Sequence, residues 1–237
     1  MVAKTQFAIT GEDTRFFLNG ALFVLRTDSM SLVATDGHRL ALVTVKRPTA
    51  DDSIPAGEEV KVILPKKTLL ELGKLLSESE GDITYERGEN HLFFDVGGRV
   101  LISRMIDGQF PAYERVIPKG NDKKIEFERE RLTSAVKRVA LLSNERSRAV
   151  KFETSKGRVD VTSSSSEFGE AKEQLPVDYA GDAMAISFNA QYVLDFLNAV
   201  GSDVVSLSLK DEVSQAVLRP VGEQSYDYTY VIMPMRI

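Results

Sequence analysis

The sequence predicts an α+β protein of two related domains, each built of antiparallel sheets packed on two helices, with the first domain incomplete at its N-terminal end. Three observations lead there. Short apolar runs divided by turn residues recur along the 237 residues, as strands of antiparallel sheets do. Helical spacing interrupts that pattern only at 65–76, 131–142 and 190–200. Finally, Val62-Ile63-Leu64-Pro65 with Leu69-Leu70-Glu71-Leu72 lines up, at a constant shift, with Ile186-Ser187-Phe188-Asn189 and Val193-Leu194-Asp195-Phe196. His91-Leu92-Phe93-Phe94 falls on Gln215-Ala216-Val217-Leu218 under the same shift. The period far exceeds that of a solenoid repeat, so the copies are domains rather than stacked modules.

Taken in order, residues 5–10 are short and mixed, and nothing is expected to be helical before Pro65. A strand starts at Phe16-Phe17-Leu18 and continues through 20–25, and Thr27-Asp28-Ser29 turns it. Strands at 31–34 and 39–46 follow, joined by Asp36-Gly37, and Asp-Gly between apolar runs is the strongest short-range hairpin signal a sequence offers. Thr35, His38 and Arg39 place a hydroxyl, an imidazole and a guanidinium on that tip beside apolar Leu40. A loop spans 48–59 and a strand 60–64. Pro65 then sits where a helix tolerates proline, in its first turn, with Leu69, Leu72, Leu75 and Leu76 at helical spacing behind it. Strands at 82–86, 91–96 and 99–105 end in the turn-rich link Asp107-Gly108-Gln109-Phe110-Pro111-Ala112-Tyr113.

Pro118-Lys119-Gly120-Asn121-Asp122 is polar and rich in breakers, which divides the chain into domains at 1–117 and 118–237. The second domain reads as a strand at 124–127 and a helix at 131–142 with Leu132, Ala135, Val136, Val139 and Leu142 inward. Strands follow at 149–154, 158–163, 170–175 and 185–187, then the helix at 190–200, then strands at 204–209, 215–220 and 226–233. The first domain has only residues 1–10 where the second opens with a strand and a full helix. The chain is therefore expected to start inside a domain, leaving a sheet edge and a core flank uncovered.

Composition excludes several functions. Hydrophobic content of 43% and charged content of 27% are those of a globular chain that can bury a core. No apolar run is long enough to cross a bilayer and the start lacks the apolar core of a signal peptide, so a cytoplasmic protein without a membrane partner is expected. Zero cysteines exclude disulfides and thiolate chemistry, and with only His38 and His91 a histidine-rich metal site is excluded too. No cofactor or metal is expected. A net charge of −5 argues against a protein that simply coats nucleic acid. Cations nevertheless gather locally, at Lys66 and Lys67 on one helix and at Arg129, Arg131, Lys137 and Arg138 on another.

Six stretches then carry a resemblance. They are Phe17-Leu18-Asn19-Gly20, Ala34-Thr35-Asp36-Gly37-His38-Arg39-Leu40-Ala41, Asp107 to Tyr113, Leu142-Ser143-Asn144-Glu145, Tyr192-Val193-Leu194-Asp195 and Tyr230-Val231-Ile232-Met233-Pro234-Met235-Arg236-Ile237. In this set and order the chain resembles the bacterial DNA polymerase III β subunit family, the sliding clamps. The resemblance implies the DNA-clamp fold, with this chain similar to the second and third of the family's three domains. It implies a non-catalytic replication processivity factor that encircles duplex DNA in its full-length form, as a head-to-tail homodimer, and holds its partners through a peptide pocket between those two domains. Ring closure in the family uses the first domain, so dimerisation of this chain alone is in question.

By the same resemblance, one wall of the pocket is Leu18, Thr35, Gly37, His38, Arg39, Leu40, Pro111, Arg115 and Val116. The other is Asn189, Tyr192, Val213, Val231, Ile232, Met233, Pro234, Met235 and Arg236. Aliphatic and Met side chains make an adaptable apolar slot, while Arg39, Asn189 and Arg236 offer polar contacts. Ser147 departs from members that carry a bulky aromatic there, which implies a wider or more polar flank. The implied partners are the polymerase III catalytic subunit, the clamp loader and other proteins with the clamp-binding motif, together with duplex DNA held without sequence preference. Arg15, Lys66, Lys67, Lys74, Arg131, Lys137 and Arg138 are the candidate DNA-facing cations, since a cationic lining attracts the phosphate backbone and still permits sliding.

Two other functions fit parts of the sequence. Asp36, His38 and Ser143 could be drawn as a hydrolytic triad, but no nucleophile elbow, paired carboxylates or phosphate-cradling loop accompanies them. A peptide-binding module that keeps the pocket without encircling DNA is the second alternative. Tyr192 and 231–233 also read as plain core.

Overall fold

The computed structural model describes residues 1–11, 13–47, 58–144, 147–166 and 169–236. Most of the 48–59 loop lies outside them, as do Glu145 and Ile237 of the stretches above. The chain forms two compact units, Met1–Tyr113 with Ser225–Asp227, and Glu114–Gln224 with Tyr228–Ile237.

The first unit contains helix α1 (Val2–Thr5), strands β1 (Gly20–Arg26), β2 (Ser29–Thr35), β3 (Arg39–Lys46) and β4 (Glu59–Pro65), helix α2 (Lys66–Ser77), and strands β5 (Ile83–Arg87), β6 (His91–Val96) and β7 (Arg99–Arg104). They form two antiparallel sheets, ordered β4-β1-β2-β3 and β5-β6-β7. Buried Leu22, Val24 and Val33 share one face of the first sheet and Leu32 and Val43 the other, and α2 adds buried Leu69 and Leu72. Lys67, Glu71 and Lys74 stay on its outer side, which is the division the leucine spacing dictates. Gly20 opens β1 because a Cβ there would collide with the Leu64 carbonyl across the β1–β4 ladder.

The second unit runs β8 (Lys123–Glu128), α3 (Arg129–Ala140), β9 (Ala149–Ser155), β10 (Arg158–Ser165), β11 (Gly169–Pro176), β12 (Met184–Asn189), α4 (Ala190–Ala199), β13 (Val204–Leu209), β14 (Ala216–Pro220) and β15 (Tyr226–Ile232). Its sheets are ordered β12-β9-β10-β11 and β8-β13-β14-β15. Each matches a sheet of the first unit, β12 standing for β4, β9 for β1, and β13-β14-β15 for β5-β6-β7. Register agrees at the equivalent joints, with Gly20 opposite Pro65 and Ala149 opposite Asn189, so the repeat seen in the sequence is a repeat of topology.

Four expectations need correction. Residues 2–5 are helical and 6–8 form a 3₁₀ turn, so helix begins well before Pro65. Phe16–Leu18 is a 3₁₀ turn rather than strand, its short coil closed by Arg15 and Phe16 carbonyls that accept from the N–H groups of Leu18 and Asn19. Pro65 ends β4 and precedes α2 instead of lying in its first turn. Leu142 lies beyond α3, where the chain turns through bonds from Leu141, Leu142 and Ser143 N–H to the Arg138, Val139 and Ala140 carbonyls. At residues 2–8, 16–18 and 141–143 local hydrogen-bonded turns set the structure, and at Pro65 the pairing with Gly20 keeps the residue in β4.

Candidate functional site

The β2–β3 hairpin is held from inside its own tip. Gly37 takes φ of 88°, the left-handed conformation that glycine adopts without a Cβ penalty. Asp36 then folds its carboxylate back. Oδ1 accepts from the backbone N–H groups of His38 and Arg39 at 2.9 and 3.0 Å, and Oδ2 accepts from Arg39 Nε at 3.0 Å. Thr35 completes the tip, its hydroxyl donating to the Arg39 carbonyl at 2.7 Å and accepting from Gly37 N–H at 3.1 Å. The Arg39 side chain is only 9% exposed. It donates through Nη2 to the Phe7 carbonyl at 2.6 Å and lies over the Phe7 ring at 5.3 Å. Arg39 is thus a strut that ties the tip to the N-terminal turns. Of the hairpin residues, Gly37 and His38 face solvent, whereas Leu40 is buried, as is Leu18 before β1. Pro111, Arg115 and Val116 are exposed.

In the second unit a different group of the expected residues comes together. Asn189 ends β12 and caps α4, its Oδ1 accepting from Gln191 and Tyr192 N–H at 2.9 and 3.4 Å. The Tyr192 carbonyl accepts from Tyr230 Oη at 2.9 Å, which ties α4 to β15. After β15 the chain end docks on β12, where Met235 N–H donates to the Ser187 carbonyl at 2.7 Å. Val231 and Ile232 are core, Met233 and Arg236 are exposed, and Tyr192, Pro234 and Met235 are half-buried. Val213 projects from the β13–β14 turn with 67% of its surface exposed. Asp211 shapes that turn, accepting from the Ser214 hydroxyl and from Val213 and Ser214 N–H, and those bonds hold its carboxyl below the usual range. Ser147 is half-buried and its N–H donates to Asn144 Oδ1 at 3.3 Å.

The candidate cations divide by what they touch. Arg15 is clamped by Asp13 through Nε and Nη2 at 3.0 and 2.8 Å, Lys74 pairs with Glu71 at 3.0 Å, and Arg138 grips Glu173 at 2.6 and 3.1 Å. Lys66 donates to the Ile9 carbonyl at 3.2 Å. Lys67, Arg131 and Lys137 are exposed with no carboxylate partner among the described residues. The side-chain bond from Arg15, then its backbone N–H, lowers the Asp13 carboxyl to about 2. Because the folded value lies below the ordinary 3.8, the pairing is intact above that value and is lost as pH falls through about 2. NMR titration should give an Asp13 midpoint near 2, and Arg15→Ala should return it towards the ordinary carboxylate range; a midpoint unmoved by that substitution would remove the pair.

Sequence reasoning missed Phe7, Asp13, Glu173 and Ser187. Phe7 and Ser187 act through backbone carbonyls, for which residue type gives no signal, and Glu173 meets Arg138 only because β11 packs beside α3. The Asp-Gly pattern predicts Asp36 as a turn former, and its second oxygen also accepts from Arg39 Nε.

Comparison with known proteins gives a consistent result. The family profile described as DNA polymerase III beta subunit, central domain, matches residues 1–112, and the C-terminal domain profile matches residues 114–236. The chain is 37% identical over 237 residues to a beta sliding clamp of Pseudomonas putida and 38% identical over 240 residues to that of Escherichia coli. Each alignment takes in 100% of this chain and 63% of the relative. A DNA polymerase sliding clamp from Pseudomonas aeruginosa matches the fold with TM-score 0.93 at 36% identity, and a clamp from Bartonella birtlesii bound to griselimycin with 0.89 at 40%. Both cover 100% of this chain and 63% of the solved one, so the chain spans a little under two-thirds of the length of these relatives. With its two halves matching consecutive domain profiles over almost every residue, the chain belongs to the DNA polymerase III beta subunit family, the bacterial sliding clamps.

Proposed function

We propose that this chain supplies the second and third clamp-type domains of a DNA replication processivity factor, at residues 1–117 and 118–237, and that it performs no bond-breaking chemistry. The observation that carries the reading is the order of the match, central domain over residues 1–112 then C-terminal domain over residues 114–236. In that role Lys67, Arg131 and Lys137 meet the backbone of duplex DNA, while Arg15, Lys66, Lys74 and Arg138 contribute field from within their local bonds. The partners are the polymerase III catalytic subunit, the clamp loader and other proteins carrying a short clamp-binding motif, and the factor works in the cytoplasm as a homodimer in its full-length form.

In the role the family resemblance implies, the hairpin residues and the chain-end residues serve a partner peptide, with His38 of the first unit and Val213, Met233 and Met235 of the second as the accessible contacts; Leu18 and Leu40, and Val231 and Ile232, are buried within their own units. Calorimetry with a peptide carrying Gln and a Leu-Phe end tests this. The chain should bind it, and Met233→Ala with Met235→Ala should weaken binding by about tenfold or more, or ~1.4 kcal/mol. Unchanged affinity in the double variant would refute the assignment. Arg39→Ala is a poor substitute, because removing a strut changes the tip as well as the contact.

A further inference from the structure

Asn121, in the polar stretch 118–122, sends its side chain across the base of the β13–β14 turn in the second unit. Its Nδ2 donates to the Ser208 carbonyl and to the Gln215 carbonyl, both at 2.9 Å. Ser208 lies in β13, paired with Val217, and Gln215 immediately precedes β14, so one amide bridges the two limbs at the turn end of their ladder. Lys123 adds a bond from Nζ to the Lys210 carbonyl at 3.0 Å. Beyond the bridge the Asp211 carboxylate closes the turn, and Glu212 Oε1 accepts from Ala185 N–H on β12 at 3.2 Å.

Both acceptors are carbonyls, so the amide presents its two N–H groups to them and turns Oδ1 away. That oxygen is buried without a hydrogen-bond partner among the described residues. An asparagine in an unconstrained polar link would keep both ends of its amide in water, so the orphaned oxygen marks a side chain drawn inward by what it fixes. What it fixes is the turn that carries exposed Val213. The chain end is held nearby in the same way, since Met235 N–H donates to the Ser187 carbonyl, two residues along β12 from Ala185. Residues two apart on a strand lie about 7 Å from each other and offer their backbone groups to the same edge. The turn and the chain end therefore lean on neighbouring positions of one strand edge.

We propose that Asn121 is a positioning residue for partner-peptide binding: its amide presets the β13–β14 turn so that the peptide meets Val213 already ordered, while Glu212 fixes the same turn to β12. The inference rests on the reading of Val213 and the chain end as peptide contacts. A turn and a side chain that must be ordered at the moment of binding subtract from affinity, and order established beforehand removes that cost. Asn121 touches no peptide itself. It acts through the backbone of the turn, and so through Val213.

The test is calorimetry of the full chain with the peptide carrying Gln and a Leu-Phe end, on the parent, Asn121→Ala, Val213→Ala and the double variant, each well below its melting temperature. Asn121→Ala should weaken binding about fivefold. It should add little once Val213 is already alanine, because the two act as one unit. Glu212→Ala should weaken binding in the same sense, and Glu212→Gln, which keeps an oxygen for Ala185 N–H, should restore it. In the free protein Asn121→Ala should speed amide exchange at Val213 and Ser214, whose N–H groups the ordered turn holds on Asp211. An Asn121→Ala affinity equal to the parent's would overturn the proposal. So would a loss of the same size with Val213 present or replaced, which is what general damage to the domain gives. Weakening by Met233→Ala with Met235→Ala but not by Asn121→Ala would leave the peptide reading standing and sink this inference alone, whereas failure of the parent to bind would remove both.

Discussion

Asp36→Ala should lower the stability of the first domain by about 3 kcal/mol, the usual scale for breaking one side of a buried ion pair. The carboxylate makes three bonds at once, two to backbone N–H groups of the tip and one to Arg39 Nε. Both partners are withdrawn from solvent, with side chains 16% and 9% exposed, so screening by water does little to soften the loss. Alanine would remove the carboxylate that faces Arg39 Nε and leave the guanidinium to its other contacts, the Phe7 carbonyl and ring among them. Asp36→Asn separates the contributions. It keeps an oxygen for the turn and removes the charge, so its cost should be about half that of alanine, as hydrogen bonds to charged groups are the stronger ones. Chemical denaturation of the two variants, followed by a probe in the first domain, checks the order. Equal stability of Asp36→Ala and the parent would mean that the other contacts of Arg39 hold the tip without the carboxylate. The functional readout should follow, because His38 and Gly37 are displayed by the geometry that Asp36 fixes.

Much of this was visible in the sequence, for identifiable reasons. Strands β2, β3, β6 and β13 announce themselves because each is bounded by turn residues and alternates or runs apolar between them. The hairpin tip was legible because Asp-Gly is a local signal that tertiary context rarely overrides. The short α1 was not. Four residues carry too little periodicity to separate helix from coil, and α1 is held by tertiary packing on α2, β2 and β3 rather than by propensity. Phe16-Phe17-Leu18 misled because three apolar residues satisfy a strand and a 3₁₀ turn alike. At the candidate site, residue types were legible but burial was not. Arg39 and Lys66 read as free cations, yet one is a strut and the other bonds the Ile9 carbonyl, 57 residues away in sequence. A charge that looks available in a sequence is spent locally whenever a backbone carbonyl or carboxylate faces it, and only the fold decides that.

Phe196→Ala should cost the second domain about 3–5 kcal/mol, the range for emptying a fully buried aromatic site. Phe196 is completely enclosed, its ring stacked on Tyr230 at 5.3 Å with an interplanar angle of 21° and tilted against Tyr228 at 5.3 Å. The two tyrosines belong to β15 and Phe196 to α4, so this cluster fastens the strand that leads to Met233, Met235 and Arg236. Tyr230 adds a polar fastening, its hydroxyl donating to the Tyr192 carbonyl one turn earlier in α4. Tyr230→Phe keeps the ring and deletes that bond, so it should cost only about 1 kcal/mol. Comparing the two variants separates packing from hydrogen bonding at one joint. If the chain end receives a partner peptide, Phe196→Ala should also weaken that peptide under conditions where the domain remains folded, because Met235 reaches its anchor on Ser187 only when β15 holds its place on α4. A variant that loses stability as expected but binds the peptide unchanged would show that the chain end is positioned by its bond to β12 alone. Loss of less than about 1 kcal/mol would instead mean that neighbouring side chains collapse into the vacated volume, which the close fit of three aromatic rings argues against.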